Sequence, residues 1–318
     1  MKKIETILKR FKNIFYNSHT NITLIDFVKQ YAEERRRPGE KRYQGRCGSV
    51  LTLVKHLENF GAHKMKTKNV DTEFCKQFID YLRQAQDLHH HMKNKKRLAD
   101  NTIHLKCTIL KAILREAVRQ RLLSENPMDY LPSCYRTRTN RTEKPHLSME
   151  ELKKMMQTEC PIPLLKEAFL FSCLTGLRKS DVLELKPSDL RQEDDQHYYI
   201  YKKIKKTQQW LTIPLSNLAL DCLPSSTAKE SKYFASLSSA RLALMLRRWM
   251  NEAHITQQPI NFHTARHTFA TLELNMGADI YTVSQLLGHH NIATTQIYSQ
   301  ATNSKKAYAV SLQNKLTA

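Results

Sequence analysis

The sequence predicts a mainly α-helical chain with one small β-sheet, arranged in two domains. Long amphipathic runs recur along most of the 318 residues and only seven residues are glycines, a balance that favours helix over strand. One pair of segments in the second half alternates polar and apolar residues and predicts a β-hairpin. A chain of this length has room for two modest domains, each with its own core.

The first part of the chain predicts four amphipathic helices. Apolar residues recur every three or four positions in each run, and breakers such as Gly61 separate the runs. The predicted helices cover residues 24–36, 43–60, 72–82 and 101–120. Asp71 stands where an N-cap of the third helix is expected. Three adjacent histidines at 89–91 suggest a metal site, but consecutive side chains point in different directions, so we favour a solvated loop.

A polar, basic segment bounded by Pro132 and Pro145 predicts the domain boundary. Residues 1–22 are then a short basic N-terminal extension, 23–132 a helical domain, 133–145 a linker, and 146–318 a second domain with a C-terminal tail. No apolar run approaches the roughly 18 residues that span a bilayer, and no signal peptide is visible. The seven cysteines are scattered singly, which predicts buried free thiols in a reducing cytoplasm.

The second domain is expected to combine helices with one hairpin. Ser148 and Glu151 have the spacing of a capping box, and Gly176 is placed to end a buried apolar helix. Another short helix is expected to follow Leu177. The other predicted elements are helices at 149–156, 164–174, 239–253, 262–275 and 279–287, strands at 197–204 and 210–215, and a short helical run that opens at Asn291.

The last of these helices carry a cluster of polar side chains. His263 and Arg266 stand three residues apart, so both project from one face near a helix start. His289 comes directly after Gly288, which stops the next helix, and Tyr298 follows nine residues later. Two imidazoles, a guanidinium and a phenol within forty residues suit one kind of substrate, a phosphodiester.

The string H-x-x-R, then Leu-Gly-His, then Tyr resembles the C-terminal signature of tyrosine recombinases, the phage integrase family. The Leu-Gly-His triplet ending at His289 and its spacing to Tyr298 fit that signature closely, and residues 294–297 are a typical lead-in to the family's nucleophile. Ala265 stands where a leucine is common, a difference that removes no polar group. The resemblance covers roughly residues 23–310.

Two further boxes resemble the same family. Thr-Gly-Leu-Arg-Lys-Ser-Asp places Arg178 in the first-arginine box, with Asp181 where glutamate is usual and where a carboxylate is expected to orient the guanidinium. The family carries its catalytic lysine on a hairpin, as Lys-Thr eight residues before Ile-Pro or Val-Pro. Lys206 matches that position, eight residues before Pro214. The neighbouring Lys202, Lys203 and Lys205 are rivals that we expect to contact backbone phosphates.

The resemblance implies a helical, SAM-like core-binding domain followed by an α+β catalytic domain. It also implies cleavage through a 3′-phosphotyrosyl intermediate on Tyr298 that leaves a free 5′-hydroxyl, with no nucleotide or metal cofactor. Guanidinium forks match phosphate oxygens, which assigns transition-state stabilisation to the two arginines, with His289 as a further donor. His263 is the candidate for assisting proton transfer from the phenol, and Lys206 for protonating the leaving oxygen.

The charge of the chain favours a polyanionic partner. Its formal net charge is +21 and its pI about 9.7. Residues 1–140 hold 29 Lys/Arg against 14 Asp/Glu, a net +15, so the first domain is expected to bind double-stranded DNA more strongly than the second. From the resemblance we expect a monomer in free solution, a homotetramer on DNA through the tail at 303–318, possible accessory DNA-bending proteins, and no membrane partner.

The expected function is that of an integrase, a site-specific recombinase that integrates or excises a phage or mobile element. The alternatives are a type IB topoisomerase-like enzyme, a chromosome-dimer resolvase or inversion enzyme of the same family, and a DNA-binding regulator without catalysis. Binding alone would not require the polar cluster. A zinc site at His263, His267, His289 and His290 is less favoured, because Arg266 would oppose a cation. A bacterial cytoplasm, with the nucleoid when DNA is bound, is the expected location.

Overall fold

Two compact units make up the chain, and they divide between residues 141 and 142, inside the predicted linker. The computed structural model describes residues 21–35, 41–88, 96–139, 144–194, 197–225, 231–237, 239–256 and 260–298. The predictions for the tail, for the histidines at 89–91 and for nearly all of the N-terminal extension therefore lie outside the described residues. Across the part that is described, every helix is too short or too polar to cross a bilayer.

The first unit contains the four predicted helices. They are α1 (Leu24–Glu34), α2 (Lys41–Asn59), α3 (Thr72–Gln84) and α4 (Asp100–Arg119). Asp71 caps α3, since its Oδ1 accepts the backbone N–H of Phe74 at 2.7 Å. The apolar faces of the helices meet in one core, where Phe60 packs against the rings of Phe74, Phe78 and Tyr81. This confirms the mainly helical prediction for the unit.

The start of the predicted linker packs on the first unit. Arg83 Nη2 donates to the carbonyl of Cys134 at 2.7 Å, and the Tyr135 hydroxyl donates to Asp80 at 2.9 Å. Further along, His104 Nδ1 lies 2.9 Å from the Thr137 carbonyl oxygen. Proline-bounded polar composition identified this stretch as a linker, but composition carries no information about these side-chain contacts.

The second unit combines eight helices with one three-stranded antiparallel sheet among its described residues. The helices are α5 (Met149–Gln157), α6 (Pro163–Thr175), α7 (Lys179–Val182), α8 (Asn217–Asp221), α9 (Ser239–Glu252), α10 (Phe262–Met276), α11 (Ile280–Leu286) and α12 (Ala293–Gln296). The strands are β1 (Leu190–Gln192), β2 (Tyr198–Lys203) and β3 (Trp210–Leu215), in that order across the sheet. Strand β1 and helix α8 were not predicted from the sequence, because they are too short to show a period of hydrophobic residues.

Helices α6 and α10 form the centre of the second unit. Eight of the thirteen residues of α6 are buried, because most of the helix is apolar. The ring of Phe169 packs edge-on against Phe262 of α10 and against Trp249 of α9, at 5.6 and 5.9 Å between centroids. Ala265 is fully buried on α10. A small residue therefore suits this position, where the family more often has leucine.

Gly176 ends α6 in a left-handed conformation, with φ at +69°. A Cβ at this position would lie 2.6 Å from Phe269 Cδ1 and 2.9 Å from Leu287 Cδ2. No side chain fits there without displacing the side chains of Phe269 and Leu287. Gly277 ends α10 with φ at +106°, but a Cβ there would meet nothing within 4 Å.

Gly176→Ala is expected to lower the free energy of unfolding by about 2–5 kcal/mol, because left-handed strain of ~1–2 kcal/mol adds to overpacking of ~1–3 kcal/mol. Gly277→Ala is the matched control and should show only the backbone strain. Urea unfolding followed by circular dichroism measures both losses. Equal losses in the two variants would show that the space around Gly176 relaxes at no cost.

Candidate active site

All six side chains singled out in the sequence line one cleft of the second unit. The cleft has a volume of about 270 Å³ and is lined by Lys144, Arg178, Lys206, His263, Arg266, His267, His289, Thr294, Ile297 and Tyr298. Arg178 stands at the N-terminus of α7, and Lys206 lies in the turn between β2 and β3. The other four come from the start of α10 and from the chain around α11 and α12. The fold thus brings together residues that are 120 positions apart.

Arg266 is the most deeply buried of the six, with 2% of its surface exposed. Its Nη1 donates to the carbonyl of Gly176 at 2.8 Å, and its Nη2 donates to the carbonyl of Leu287 at 2.5 Å and to His289 Nε2 at 2.9 Å. Burial, with a smaller contribution from Arg178, lowers the pKa of Arg266 to about 9. The guanidinium is therefore still charged at neutral pH, and its two backbone acceptors fix its plane.

Arg178 is half-buried, and two acidic side chains oppose the effect of its burial on its pKa. Burial lowers its pKa, whereas Asp181 and Tyr298 act in the opposite direction. The Asp181 carboxylate is buried and accepts the backbone N–H of Lys205 at 3.1 Å. Asp181 was expected to orient the guanidinium. Its hydrogen bond instead anchors the hairpin that carries Lys206, while its charge raises the pKa of Arg178.

Lys206 differs in its surroundings from the neighbouring lysines Lys202 and Lys205. Lys206 is exposed and reaches the cleft. The expectation that Lys202 contacts a phosphate is wrong, because this side chain is buried and its Nζ donates to the Glu184 carbonyl at 2.9 Å and pairs with Asp189 at 2.5 Å. Lys205 Nζ lies 3.5 Å from a carboxylate oxygen of Glu184.

The hydrogen bonds of His289 define its tautomer. Its Nε2 accepts from Arg266, which can only donate, so the ring proton is on Nδ1. Nδ1 then donates to the hydroxyl of Thr295 at 2.8 Å. Burial, followed by Arg266 and Arg178, lowers the pKa of His289 to about 4, so the ring is neutral at neutral pH. A hydroxyl can also donate to Nδ1, so the other tautomer, which requires loss of the Arg266 hydrogen bond, would place a donor on Nε2 for a phosphate oxygen.

Tyr298 contacts a different histidine from the one expected to assist it. The Tyr298 hydroxyl lies 2.6 Å from Nδ1 of His267, one helical turn beyond His263 on α10. The His263 ring stands edge-on to His267, with 4.8 Å between centroids. Burial raises the pKa of the Tyr298 phenol, and Arg266 and Arg178 reduce that rise. The phenol is therefore protonated in the free protein.

Two hydrogen-bond partners of the cleft residues were not predicted from the sequence: His267, which bonds Tyr298, and Thr295, which bonds His289. His267 was considered only as a metal ligand, although its four-residue spacing from His263 places both on one helical face. In the structure His267 bonds Tyr298, whereas His290 Nδ1 lies 3.3 Å from the Gln209 side chain. Thr295 precedes Tyr298 by three residues, so it faces the same side of that helical segment.

Two family profiles match the chain, one in each unit. The profile of the phage integrase family matches residues 145–305, about half of the chain, and includes all six cleft residues. The profile of the phage integrase SAM-like domain matches residues 23–137. Both assignments agree with the fold class expected from the sequence, a helical SAM-like domain followed by an α+β catalytic domain.

Curated relatives include tyrosine recombinases from two bacteria. Tyrosine recombinase XerC of Pediococcus pentosaceus is 26% identical over 305 residues, which cover 89% of this chain and 94% of the relative. Tyrosine recombinase XerD of Listeria monocytogenes is 31% identical over 176 residues, which cover 49% of this chain and 58% of the relative.

Solved structures share the fold at lower identity. The Tn1549 transposon integrase in complex with circular intermediate DNA superposes with a TM-score of 0.68 at 17% identity, covering 91% of this chain and 99% of that one. A lambda integrase dimer bound to a COC′ core site gives 0.66 at 19% identity, covering 89% and 97%. These likenesses show the shared fold, and the family profile over residues 145–305 shows the family. The chain is a member of the phage integrase family, a tyrosine recombinase that cleaves and rejoins DNA.

Proposed function

We propose that the chain is a site-specific recombinase whose Tyr298 attacks a DNA phosphodiester, forming a 3′-phosphotyrosyl intermediate and a free 5′-hydroxyl. The observation that carries this proposal is the convergence of one phenol, two arginines, three histidines and two lysines on a single cleft of about 270 Å³. A covalent intermediate conserves the energy of the broken bond, so rejoining needs no nucleotide. Integration or excision of a mobile element is the proposed outcome.

The arginines supply transition-state stabilisation in this scheme. Attack on phosphorus builds negative charge on the non-bridging oxygens, and fixed donors stabilise that charge more in the transition state than in the ground state. Arg266 is held by two carbonyls before any substrate arrives, so it needs no reorganisation. Arg178 shares the cleft and is half-buried, which strengthens its interaction with an entering phosphate.

Proton transfers are assigned to the remaining groups. Because the phenol of Tyr298 is protonated in the free protein, it must lose a proton as it attacks, and His263 remains the proposed assistant. Burial and then Arg266 lower the pKa of His263, so the ring is neutral and can accept a proton. Lys206, exposed on its turn, is the proposed acid for the leaving 5′-oxygen.

Double-stranded DNA is the proposed partner, bound by both units. The excess of 29 Lys/Arg over 14 Asp/Glu in residues 1–140 supports binding dominated by phosphate contacts. The Tn1549 and lambda integrases were solved on DNA, and their likeness to this chain supports the same kind of substrate. A homotetramer on paired sites, accessory DNA-bending proteins, and a cytoplasmic location with the nucleoid when bound complete the proposal.

Covalent capture from a randomised library tests the proposed function. Nicked duplexes with a random central segment are incubated with the protein, and DNA attached to it after SDS denaturation is sequenced. A recombinase should enrich one inverted-repeat sequence, whereas a topoisomerase-like enzyme should capture DNA with little sequence preference. The absence of any attached DNA, under conditions where the protein binds duplex, would contradict both readings.

Lys206→Ala is expected to slow strand cleavage by about 10²–10⁴-fold, the usual contribution of a general acid. A substrate with sulfur in place of the 5′-bridging oxygen should restore most of the rate, because a thiolate leaves without protonation. Single-turnover cleavage of both substrates measures the rescue. Lys205→Ala is the matched control, since that lysine pairs with Glu184. Rescue confined to the Lys205 variant would move the acid by one residue.

A further inference from the structure

A buried imidazole holds the proposed nucleophile in the free protein. His267 has 7% of its surface exposed, and its Nδ1 lies 2.6 Å from the hydroxyl oxygen of Tyr298, with 5.3 Å between the ring centroids. Tyr298 follows the four-residue helix α12, and its backbone N–H donates to the Thr295 carbonyl at 3.0 Å. This backbone hydrogen bond fixes the main chain of Tyr298, whereas the hydrogen bond to His267 fixes the position of its hydroxyl oxygen.

The charge state of the pair and the acidity of its two groups bear on the direction of this hydrogen bond. Burial, and then the neighbouring groups His263, Lys144, Arg266 and His146, lower the pKa of His267 to about 4. The imidazole is therefore neutral at neutral pH, while the phenol is protonated. A neutral imidazole can accept at Nδ1 or donate from it, according to its tautomer. We take the phenol as the donor, because a phenol O–H is more acidic than an imidazole N–H, and this choice places the ring proton of His267 on Nε2.

We propose that His267 positions Tyr298 for cleavage by accepting the phenol hydrogen bond and fixing the attacking oxygen in the cleft before DNA binds. The inference rests on the proposed phosphotyrosyl chemistry. An O–H that points at His267 directs the oxygen lone pairs away from the imidazole and leaves them free to reach phosphorus. A nucleophile held within a fraction of an ångström of its attack position avoids the ~10²-fold loss that misplacement by about 1 Å can cause.

The pKa values argue against His267 as the proton acceptor in the free site. Burial lowers the pKa of His267 to about 4 and raises the pKa of the Tyr298 phenol above its ordinary value. The shared proton therefore stays on Tyr298 in the free protein. His267 thus acts through Tyr298 as a positioning residue in the free protein.

Two substitutions at His267 distinguish the effect of losing the hydrogen bond from the effect of losing the imidazole ring. In His267→Asn the amide oxygen can take the place of Nδ1 and accept the phenol hydrogen bond, whereas in His267→Ala nothing can. Single-turnover formation of the protein–DNA adduct at saturating DNA should fall about 10²-fold in the alanine variant, with an unchanged Kd for DNA. The asparagine variant should recover most of that rate. Equal losses in both variants, or a full rate in the alanine variant, would overturn the inference.

A measurement without DNA tests the hydrogen bond between His267 and Tyr298 independently of the proposed function. Protein carrying ¹⁵N-labelled histidine should show His267 as the Nε2–H tautomer, and Tyr298→Phe should shift its Nδ1 resonance towards that of a free lone pair. A resonance unchanged by Tyr298→Phe would overturn the inference even in an active protein. If wild-type protein forms no adduct while the Nδ1 resonance responds, the hydrogen bond stands and the proposed chemistry fails.

Discussion

Tyr298→Phe is expected to abolish covalent attachment of the protein to DNA while leaving its affinity for duplex DNA nearly unchanged. The substitution removes only the hydroxyl oxygen, and the binding surface that phosphate contacts would use stays intact. Adduct formation on a nicked substrate, read by SDS gel, measures the first effect, and a gel shift at the same salt concentration measures the second.

Tyr281→Phe provides the matched control for that experiment. Its side chain is 63% exposed at the start of α11, and it is not one of the residues that line the cleft. The control variant should form adduct at the wild-type rate. Adduct that persists in the Tyr298 variant would assign the attack to another tyrosine and would remove the central element of the proposed mechanism.

Arg266→Lys is expected to lower the single-turnover cleavage rate by about 10²–10³-fold, comparable to the loss of one oxyanion-hole donor. The variant keeps a positive charge but loses the planar fork, so it cannot bond the Gly176 and Leu287 carbonyls and His289 together. A carbonyl left without its partner in the core also lowers stability, by about 1–3 kcal/mol. Urea unfolding measures that loss separately from the rate.

Two further arginine variants serve as comparisons for Arg266→Lys. Arg178→Lys should also slow cleavage, but it should cost less stability because Arg178 is only half-buried. Arg248→Lys is the surface control, since Arg248 is exposed and pairs with Glu252 at 3.1 Å across one helical turn. A normal cleavage rate in the Arg266 variant would show that positive charge alone, without the fixed fork, is sufficient at that position.

The longer helices could be predicted from the sequence because their apolar residues recur every three or four positions. The predicted helix at 72–82 and its Asp71 cap, for example, correspond to α3 (Thr72–Gln84) with the cap formed as expected. The strand β1 has three residues, fewer than two full periods of alternation, and it exists because it pairs with β2. Such an element depends on tertiary contact, which periodicity in one segment does not encode.

The six side chains named from the sequence share one cleft, but their hydrogen bonds were not predicted. All six residues chosen from motif spacing line the cleft, whereas the partner of Tyr298 comes from a helix 31 residues away in sequence. The burial of Lys202 could have been predicted, because it alternates in sequence with Ile200 of β2 and with Ile204, the residue after the strand, and both isoleucines are buried. The hydrogen bond of Asp181 to the Lys205 N–H required the fold, since two segments meet there.

The most direct test of the central claim is to identify the amino acid and the DNA end that are joined in the trapped adduct. The adduct is digested with protease and nuclease, and the modified peptide is sequenced by mass spectrometry. The proposed chemistry predicts a nucleotide attached to Tyr298 through its 3′-phosphate, and a released strand whose 5′ end carries a hydroxyl that a kinase can label. A nucleotide on any other residue, or a linkage through a 5′-phosphate, would contradict it.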